Sequence, residues 1–532
     1  MTRIAPEGQD GPAQPEPAGK SDNRASKAKY LALVAMLFAV AMTFIDQTIV
    51  AIASPTIQTE LSLSRSGSQW VVNSYLLALA AAFALGGRLA DVLGHRRMVL
   101  IGIVGFAASS ALCGATPTGS AAEAWIIAFR VLQGVFGAIM IPAALAIVVA
   151  TFPLQERGRA LAIFFGVSGG LTSIGPIAGG YLTQWTWRAI FWINVPVAVL
   201  AIVLTLIAEI APSRRREPID GYGAVLVAVG MGLSVLGFEQ APSWGWRSPL
   251  TWVCIIAGLL FLVFFVRVEL RMSNPLINVR IFRDRAFVVD NAVLFFSMIA
   301  FIPVFFFASV YSQVSLGYGA NKAGLYLLVF FAGFAPAAQI GGRMLDAGGA
   351  RRPMILGSAL STVGFALWAW KATELSLGSQ WPYIVIAGAG IGLLLGPAST
   401  DAVNRSVNAS YGEVTGITQT VRNYASTLGI AVLGTVLASR FSDHLTRSLG
   451  ALGVPSGVAK SIAKGSTEAG GAKQENSVPA SVRSHIERAV AHDFAVGTQA
   501  VLYGMAIALA VCFLVAQRHP GGRQQTETVT EH

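Results

Sequence analysis

Residues 86–100 read GGRLADVLGHRRMVL, and residues 341–355 read GGRMLDAGGARRPMI. At a shift of 255 positions, GGR, the Asp, the Gly three residues after it and the Arg pair all coincide. The same shift carries Gly137 onto Gly392 and Pro142 onto Pro397. This charged punctuation stands out because the rest of the chain is apolar. Of its 532 residues, 54% are hydrophobic and 12% charged, where a soluble protein carries roughly 25% charged residues. Mean hydropathy is +0.61. Apolar runs recur near the roughly 20 residues that cross a bilayer as helix. A membrane β-barrel would show dyad alternation instead. The expectation is an all-α, polytopic membrane protein.

The runs predict about fourteen spans, near 31–52, 69–90, 98–116, 124–150, 160–183, 190–210, 222–240, 250–267, 287–311, 323–345, 353–371, 382–403, 415–439 and 495–517. Eight spans separate equivalent points of the repeat, not six. The layout is therefore two related six-helix halves, 30–212 and 269–517, with an inserted pair at 213–268, as in transporters built from parallel repeats. Residues 1–29, polar and rich in Pro and Gly, read as a disordered tail, and no signal peptide is visible. Segment 441–493 reads as a long mobile outer loop with room for one short helix, and 518–532 as a second tail.

A net charge of +11 suggests nucleic acid at first sight. In a membrane protein a basic excess is more often topological, since Lys and Arg stay on the cytoplasmic side. With the N-terminus inside, 24 of the 38 Lys and Arg fall in cytoplasmic segments. Both termini are then cytoplasmic, the membrane is the cell's plasma membrane, and no nucleic-acid partner is expected. Cys113, Cys254 and Cys512 fall in or at apolar runs without metal-ligand spacing, and read as packing residues. No metal or cofactor is expected.

The loop stretch is itself a motif: Gly87, Leu89, Asp91, Gly94, Arg96 and Arg97 fit G-x-L-a-D-x-x-G-r-k, with Val92 and His95 at positions that are usually basic. Its echo supplies Asp346, Arg351 and Arg352. FIDQTIVAIASP (44–55) places Asp46, Thr48, Ala53 and Pro55, and RVLQGVFGA (130–138) places Arg130, Gln133, Gly134 and Gly137. GLTSIGPIAGG (170–180) places Gly170, Gly175, Pro176, Gly179 and Gly180. WRAIFWINVP (187–196) and ELRMSNPLI (269–277) complete the series. In this order and spacing the segments resemble the major facilitator superfamily, in its 14-helix drug:proton antiporter branch, over nearly all of residues 30–517. The resemblance implies alternating access, antiport linked to GLTSIGPIAGG, and a cytoplasmic gate at the repeated loop.

The residues support physical readings of their own. Asp46 lies well inside the first span, where a carboxylate costs roughly 3 kcal/mol on insertion scales. Such a group could carry a proton as access alternates, or simply cap a hydrogen-bond network. Arg130 is its expected partner. Both lie about six positions from the outer end of their spans, roughly 9 Å deep. The repeat equivalent of Arg130 is Val385, so the charge belongs to one half only, which favours a functional role. Asp91 could accept charge-assisted bonds and latch the halves, or the loop could be a plain topological signal. The glycines of GLTSIGPIAGG make either a packing seam or the antiport element.

Asp401 and Arg405 sit at i, i+4 spacing, and Arg422, inside the thirteenth span, is a candidate partner of Asp401. Asp290, Glu209 and Glu239 lie near span ends and are expected to snorkel. Trp185, Trp187 and Trp192 read as an aromatic belt. The Phe-rich runs at 295–307 and 330–334 face lipid or a drug cavity. No His falls in a confident span interior, which argues against a membrane enzyme. The expected function is proton-coupled export of amphipathic or aromatic small molecules such as antibiotics, by a monomer. Export of one self-made metabolite and a nutrient symporter of the same fold are the alternatives. With Asp46 the one acid placed deep, against two arginines, neutral, anionic or zwitterionic substrates are favoured over dications.

Overall fold

A computed structural model describes residues 18–208, 210, 220–272, 275, 279–404, 411–451 and 480–521. Helices account for nearly all of them, and there is no strand among the described residues. The first group comprises α1 (Ala18–Glu60), α2 (Arg65–Leu93), α3 (His95–Gly114), α4 (Ala122–Thr151), α5 (Leu154–Trp185), the short α6 (Ala189–Trp192) and α7 (Asn194–Ile207). A hairpin follows, α8 (Gly221–Trp244) and α9 (Pro249–Glu269). The second group comprises α10 (Arg285–Val314), α11 (Ala320–Gly348), α12 (Arg351–Lys371), α13 (Leu377–Asn404), α14 (Tyr411–Ala451) and α15 (Ala480–Gln517). Among the described residues twelve helices are long and apolar enough to cross a membrane, and α2, bent between Phe83 and Leu85, makes a thirteenth. α5, with 32 residues, has the length to cross as well.

The repeat of the sequence is a repeat of packing. A Cβ on Gly86 would stand 2.2 Å from the carbonyl oxygen of Ala138, and one on Gly341 would stand 2.4 Å from that of Leu393. Ala138 and Leu393 are themselves 255 positions apart. So α2 crosses α4 as α11 crosses α13, each at a point where only glycine lets the backbones meet. Both loops turn on glycine with positive φ, Gly94 at +97° and Gly349 at +84°, a conformation that side-chain-bearing residues rarely adopt.

The end of the bundle that carries Arg96, Arg97, Arg351 and Arg352 is called here the basic end. There the two groups of helices share one core: Ile147, Val148 and Phe152 cluster with Phe287, Val403 and Ile417. Arg157 Nη1 donates to Asn404 Oδ1 across the same junction at 3.3 Å. At the opposite end the cores are separate, and Ile49, Ile57, Trp187 and Phe191 cluster within the first group alone. Along the length, α5 packs on α11 and α2 packs on α14. The hairpin breaks the symmetry of these two seams. α8 lies against both α2 and α14, with Gly232 beside Ala81, the Phe238 ring edge-on to Tyr424 at 5.6 Å, and Trp246 donating to Thr435 Oγ1 at 2.7 Å.

Several expectations change. The tail read as disordered is helical from Ala18 onward, and residues 1–17 lie outside the described residues. The loop expected over 441–493 is flanked by helix: α14 continues to Ala451 and α15 starts at Ala480. Leu445 and Leu449 recur at helical spacing and are buried, and Phe441 meets Phe494 at 5.3 Å. Residues 452–479 lie outside the described residues. Trp187 is no belt residue. It is fully buried and donates to Glu60 at 2.8 Å, while Trp185 is exposed. Phe301, Phe305, Phe330 and Phe334 face neither lipid nor a cavity but stack on one another in the second core, Phe301 on Phe334 at 5.3 Å.

Candidate functional site: a buried acid–arginine layer

Asp46 and Arg130 meet. Arg130 Nη1 donates to Asp46 Oδ2 at 2.5 Å, and both side chains are 1% exposed or less. The second carboxylate oxygen accepts from Gln133 Nε2 at 3.0 Å. Gln133 Oε1 in turn accepts from Arg130 Nη1 at 2.8 Å. Gln133 stands three residues after Arg130 on α4, on the same helix face. Arg130 Nε donates to the Val71 carbonyl at 2.8 Å. Its guanidinium lies over the Tyr75 ring, 4.4 Å from the centroid. The Tyr75 hydroxyl donates back to the Thr43 carbonyl on α1 at 3.3 Å. Three helices, α1, α2 and α4, therefore close on one charge pair. Its attraction repays the burial of two ions only because the hydrogen bonds around it are filled.

The glycines of 170–180 lie on α5, and Gly175 stands against the turn of α1 that holds Asp46. A Cβ on Gly175 would stand 1.9 Å from Thr48 Oγ1 and 2.9 Å from the Ile45 carbonyl oxygen. Gly179 is buried and Gly180 half-buried, and Gly170 and Pro176 lie on the same helix. At Gly175 the motif forms a packing seam with the turn of α1 that carries Asp46.

At the basic end, Asp91 is buried at the end of α2 and contacts His95 at the start of α3, 2.9 Å apart. His95 is one of the residues at which the loop departs from the usual pattern, and its repeat equivalent is Ala350. Gly87 is buried within α2. Arg96 Nη2 donates to the Leu206 carbonyl at 3.0 Å, and Arg97 is exposed. In the second copy Asp346 is half-buried, Arg352 is exposed, and Arg351 donates to the Gln517 carbonyl at 3.3 Å.

Asp401 and Arg422 are both buried. Asp401 Oδ2 lies 3.0 Å from His519 Nε2, and Asp290 Oδ1 lies 3.4 Å from the same nitrogen. The chain folds back after α15 and sets His519 between α10 and α13, which no local sequence pattern signals. Asp290 is therefore buried rather than snorkelling. Arg405 and Glu209 lie outside the described residues. Sequence reasoning left the roles of Gln133 and Tyr75 unassigned, although the i, i+3 spacing of Arg130 and Gln133 was a usable signal.

The family model described as the Major Facilitator Superfamily matches residues 36–430. The chain is 34% identical over 439 residues to the tetracenomycin C resistance and export protein of Streptomyces glaucescens, covering 80% of each chain. It is 32% identical over 434 residues to the multidrug resistance protein Stp of Mycobacterium tuberculosis, covering 80% of this chain and 79% of that one. It is 32% identical to the puromycin resistance protein pur8 of Streptomyces alboniger, covering 79% of this chain and 84% of that one. Among solved structures it resembles the proton:xylose symporter XylE bound to 6-bromo-6-deoxy-D-glucose, with a TM-score of 0.57 at 12% identity over 93% of this chain and 97% of that one. It also resembles the human organic anion transporter MFSD10, with a TM-score of 0.54 at 13% identity over 94% and 100%. At those identities the structures speak for the fold alone; the family model and the sequence relatives carry the assignment. The chain belongs to the major facilitator superfamily.

Proposed function

We propose that this protein is a proton-coupled exporter of amphipathic or aromatic small molecules, antibiotics among them. The observation that carries the reading is the buried Asp46–Arg130–Gln133 layer. A carboxylate enclosed by one arginine and one amide has two stable arrangements. Ionised, it holds Arg130 and Gln133 as seen here. Protonated, it loses the charge-assisted part of that hold, and Arg130 retains Val71 and Gln133. Because α5 abuts the same turn of α1 through Gly175, a shift at Asp46 is transmitted to the α5–α11 seam between the halves. Loading and unloading of a proton then biases which end of the bundle is open.

The positive-inside rule makes the basic end cytoplasmic, in the plasma membrane, with both termini inside. The cores merge at that end and part at the other, which corresponds to an outward-facing arrangement. All fourteen spans are needed for this placement, with α2 and α5 counted. The repeated loop serves as the gate, Asp91 with His95 in one half, and Asp346, Arg351 and Arg352 in the other. The relatives' names support export as the direction, and they divide between multidrug and single-antibiotic resistance. One charge is worth about 2.3 kcal/mol per 100 mV, enough for roughly a 40-fold gradient at about 1.4 kcal/mol per decade. The test is a panel of toxic compounds in a pump-deleted host, with and without a protonophore. Protonophore-sensitive efflux is expected. Accumulation unaffected by the protein, or efflux indifferent to the protonophore, would overturn the reading.

A further inference from the structure

The hairpin carries an acid that the buried layer does not use. Glu239 on α8 was expected to snorkel to the membrane surface, but its Oε2 is shut off from solvent and accepts no hydrogen bond among the described residues. Its direction follows from its neighbours. At 100° per residue, Glu239 stands about 20° around the helix from Gly232, and Gly232 faces Ala81 of α2. Phe238, the residue before, faces Tyr424 of α14. Gly237 faces Ile255 of α9, on the far side of the helix. Glu239 therefore points toward the first half, along the seam that α8 occupies between α2 and α14.

Its level follows from register. α2 runs toward the basic end. α8 runs away from it, since the chain leaves α7 beside Arg96 before α8 begins. With Gly232 set against Ala81, stepping seven residues away from the basic end on both helices reaches Glu239 on one and Ser74 on the other. Seven residues is close to two turns, so Ser74 lies on the same face of α2 as Ala81. Ser74 is 2% exposed, and its hydroxyl also has no partner among the described residues. An unbonded, enclosed carboxylate oxygen and an unbonded, buried hydroxyl thus stand at one level on facing helices. That level is within a turn of the charge layer, because Val71 and Tyr75 of α2 hold Arg130.

A carboxylate oxygen that accepts nothing and a buried hydroxyl with no partner are each costly unless a ligand donates to them. The chemistry that satisfies both is a cation with N–H donors. Aromatic rings border the position: Phe238 contacts Tyr424, and Phe238 and Trp246 lie 6.4 Å apart. Rings of this kind favour the apolar body of an organic cation and its charge. We propose that Glu239 and Ser74 form a subsite for the N–H-bearing cationic group of a substrate, entered along the α2–α8–α14 seam. Resting on the export reading above, the proposal adds monocationic amphiphiles to the substrates, in contrast to the expectation drawn from Asp46 alone.

The test uses the full chain in lipid nanodiscs, with rhodamine 6G as monocation and chloramphenicol as neutral probe. Equilibrium binding of rhodamine 6G by fluorescence polarisation should weaken about tenfold or more in Glu239→Gln, the scale expected when one partner of a buried charge pair is removed. Glu239→Asp should recover part of the affinity. In vesicles, Glu239→Gln should lose rhodamine efflux and keep chloramphenicol efflux. Unchanged rhodamine binding in Glu239→Gln, equal loss of both probes, or no rhodamine binding by the wild-type chain would overturn the subsite. Intact Glu239-dependent binding without any active efflux would instead sink the export reading and leave the subsite standing.

Discussion

Gly175 on α5 faces Thr48 on α1 so closely that a Cβ would stand 1.9 Å from the threonine hydroxyl. The Ile45 carbonyl, 2.9 Å away, blocks the backbone side, so rotating Thr48 aside does not clear the space. Asp46 lies between these two α1 residues in sequence. Any widening of the α1–α5 seam therefore displaces the acid from Arg130 and Gln133.

Gly175→Val should thus impair transport beyond its effect on folding. Overpacking costs typically about 1–3 kcal/mol, which lowers the melting temperature without abolishing assembly. Proton-driven efflux in vesicles, normalised to folded protein, should fall at least as far as in Asp46→Asn. Retention of wild-type efflux in well-expressed Gly175→Val would mean that the seam does not position the acid.

The charge pair predicts an unequal response to its two deletions. Arg130→Met leaves a buried carboxylate with Gln133 alone, and such a loss costs about 3–5 kcal/mol. Asp46→Asn leaves an arginine that keeps Val71, Gln133 and the Tyr75 ring. Thermal melting of the purified protein should therefore rank wild type, then Asp46→Asn, then Arg130→Met. The double variant Asp46→Asn/Arg130→Met should melt above Arg130→Met, while none of the three drives efflux with an imposed pH gradient. An Arg130→Met protein as stable as Asp46→Asn would show that the pair is not the structural unit described.

How far the sequence disclosed all this can be judged residue by residue. The repeat was legible because Gly86 and Gly341 mark a backbone crossing that tolerates no side chain, so both halves keep them. The meeting of Asp46 and Arg130 was legible because depth can be counted from span ends at a fixed rise per residue. Glu239 was misjudged by the same arithmetic. Its distance from the helix end is short, but α8 is covered by α2 and α14, and lateral packing is not written in one helix's sequence. His519 was invisible because the fold-back after α15 is a long-range contact made by a polar tail. Its contact with Asp401, the acid that charge and spacing offered to Arg422, is likewise written nowhere in the local sequence.

That imidazole yields a further prediction. His519 is 1% exposed and touches carboxylates on two helices, Asp290 of α10 and Asp401 of α13. His519→Ala removes those contacts at a cost of about 1–3 kcal/mol. Ending the chain after Gln517 should lower the melting temperature by a similar amount, because Gly521 donates back to the same ring at 3.1 Å and the tail follows its anchor. A truncation that melts like the wild type would show that the fold-back contributes nothing to the second half.

The gate offers the sharpest check on the two-state description. Asp91 is 4% exposed and His95 6% exposed, and their contact closes the α2–α3 turn at the basic end. Charge-assisted hydrogen bonds are roughly twice as strong as neutral ones, so Asp91→Asn weakens this contact while keeping its shape. A loss on the order of 1 kcal/mol changes a two-state ratio roughly fivefold. Spin labels on exposed Arg97 and exposed Arg352, at the basic ends of the two halves, would read the ratio as a distance distribution. Asp91→Asn should populate a longer distance at the expense of the closed one. His95→Gln, which keeps a hydrogen-bond donor on a longer and more flexible side chain, should shift it in the same direction and less far. Identical distributions for Asp91→Asn and wild type would assign the repeated loop to membrane topology rather than to gating.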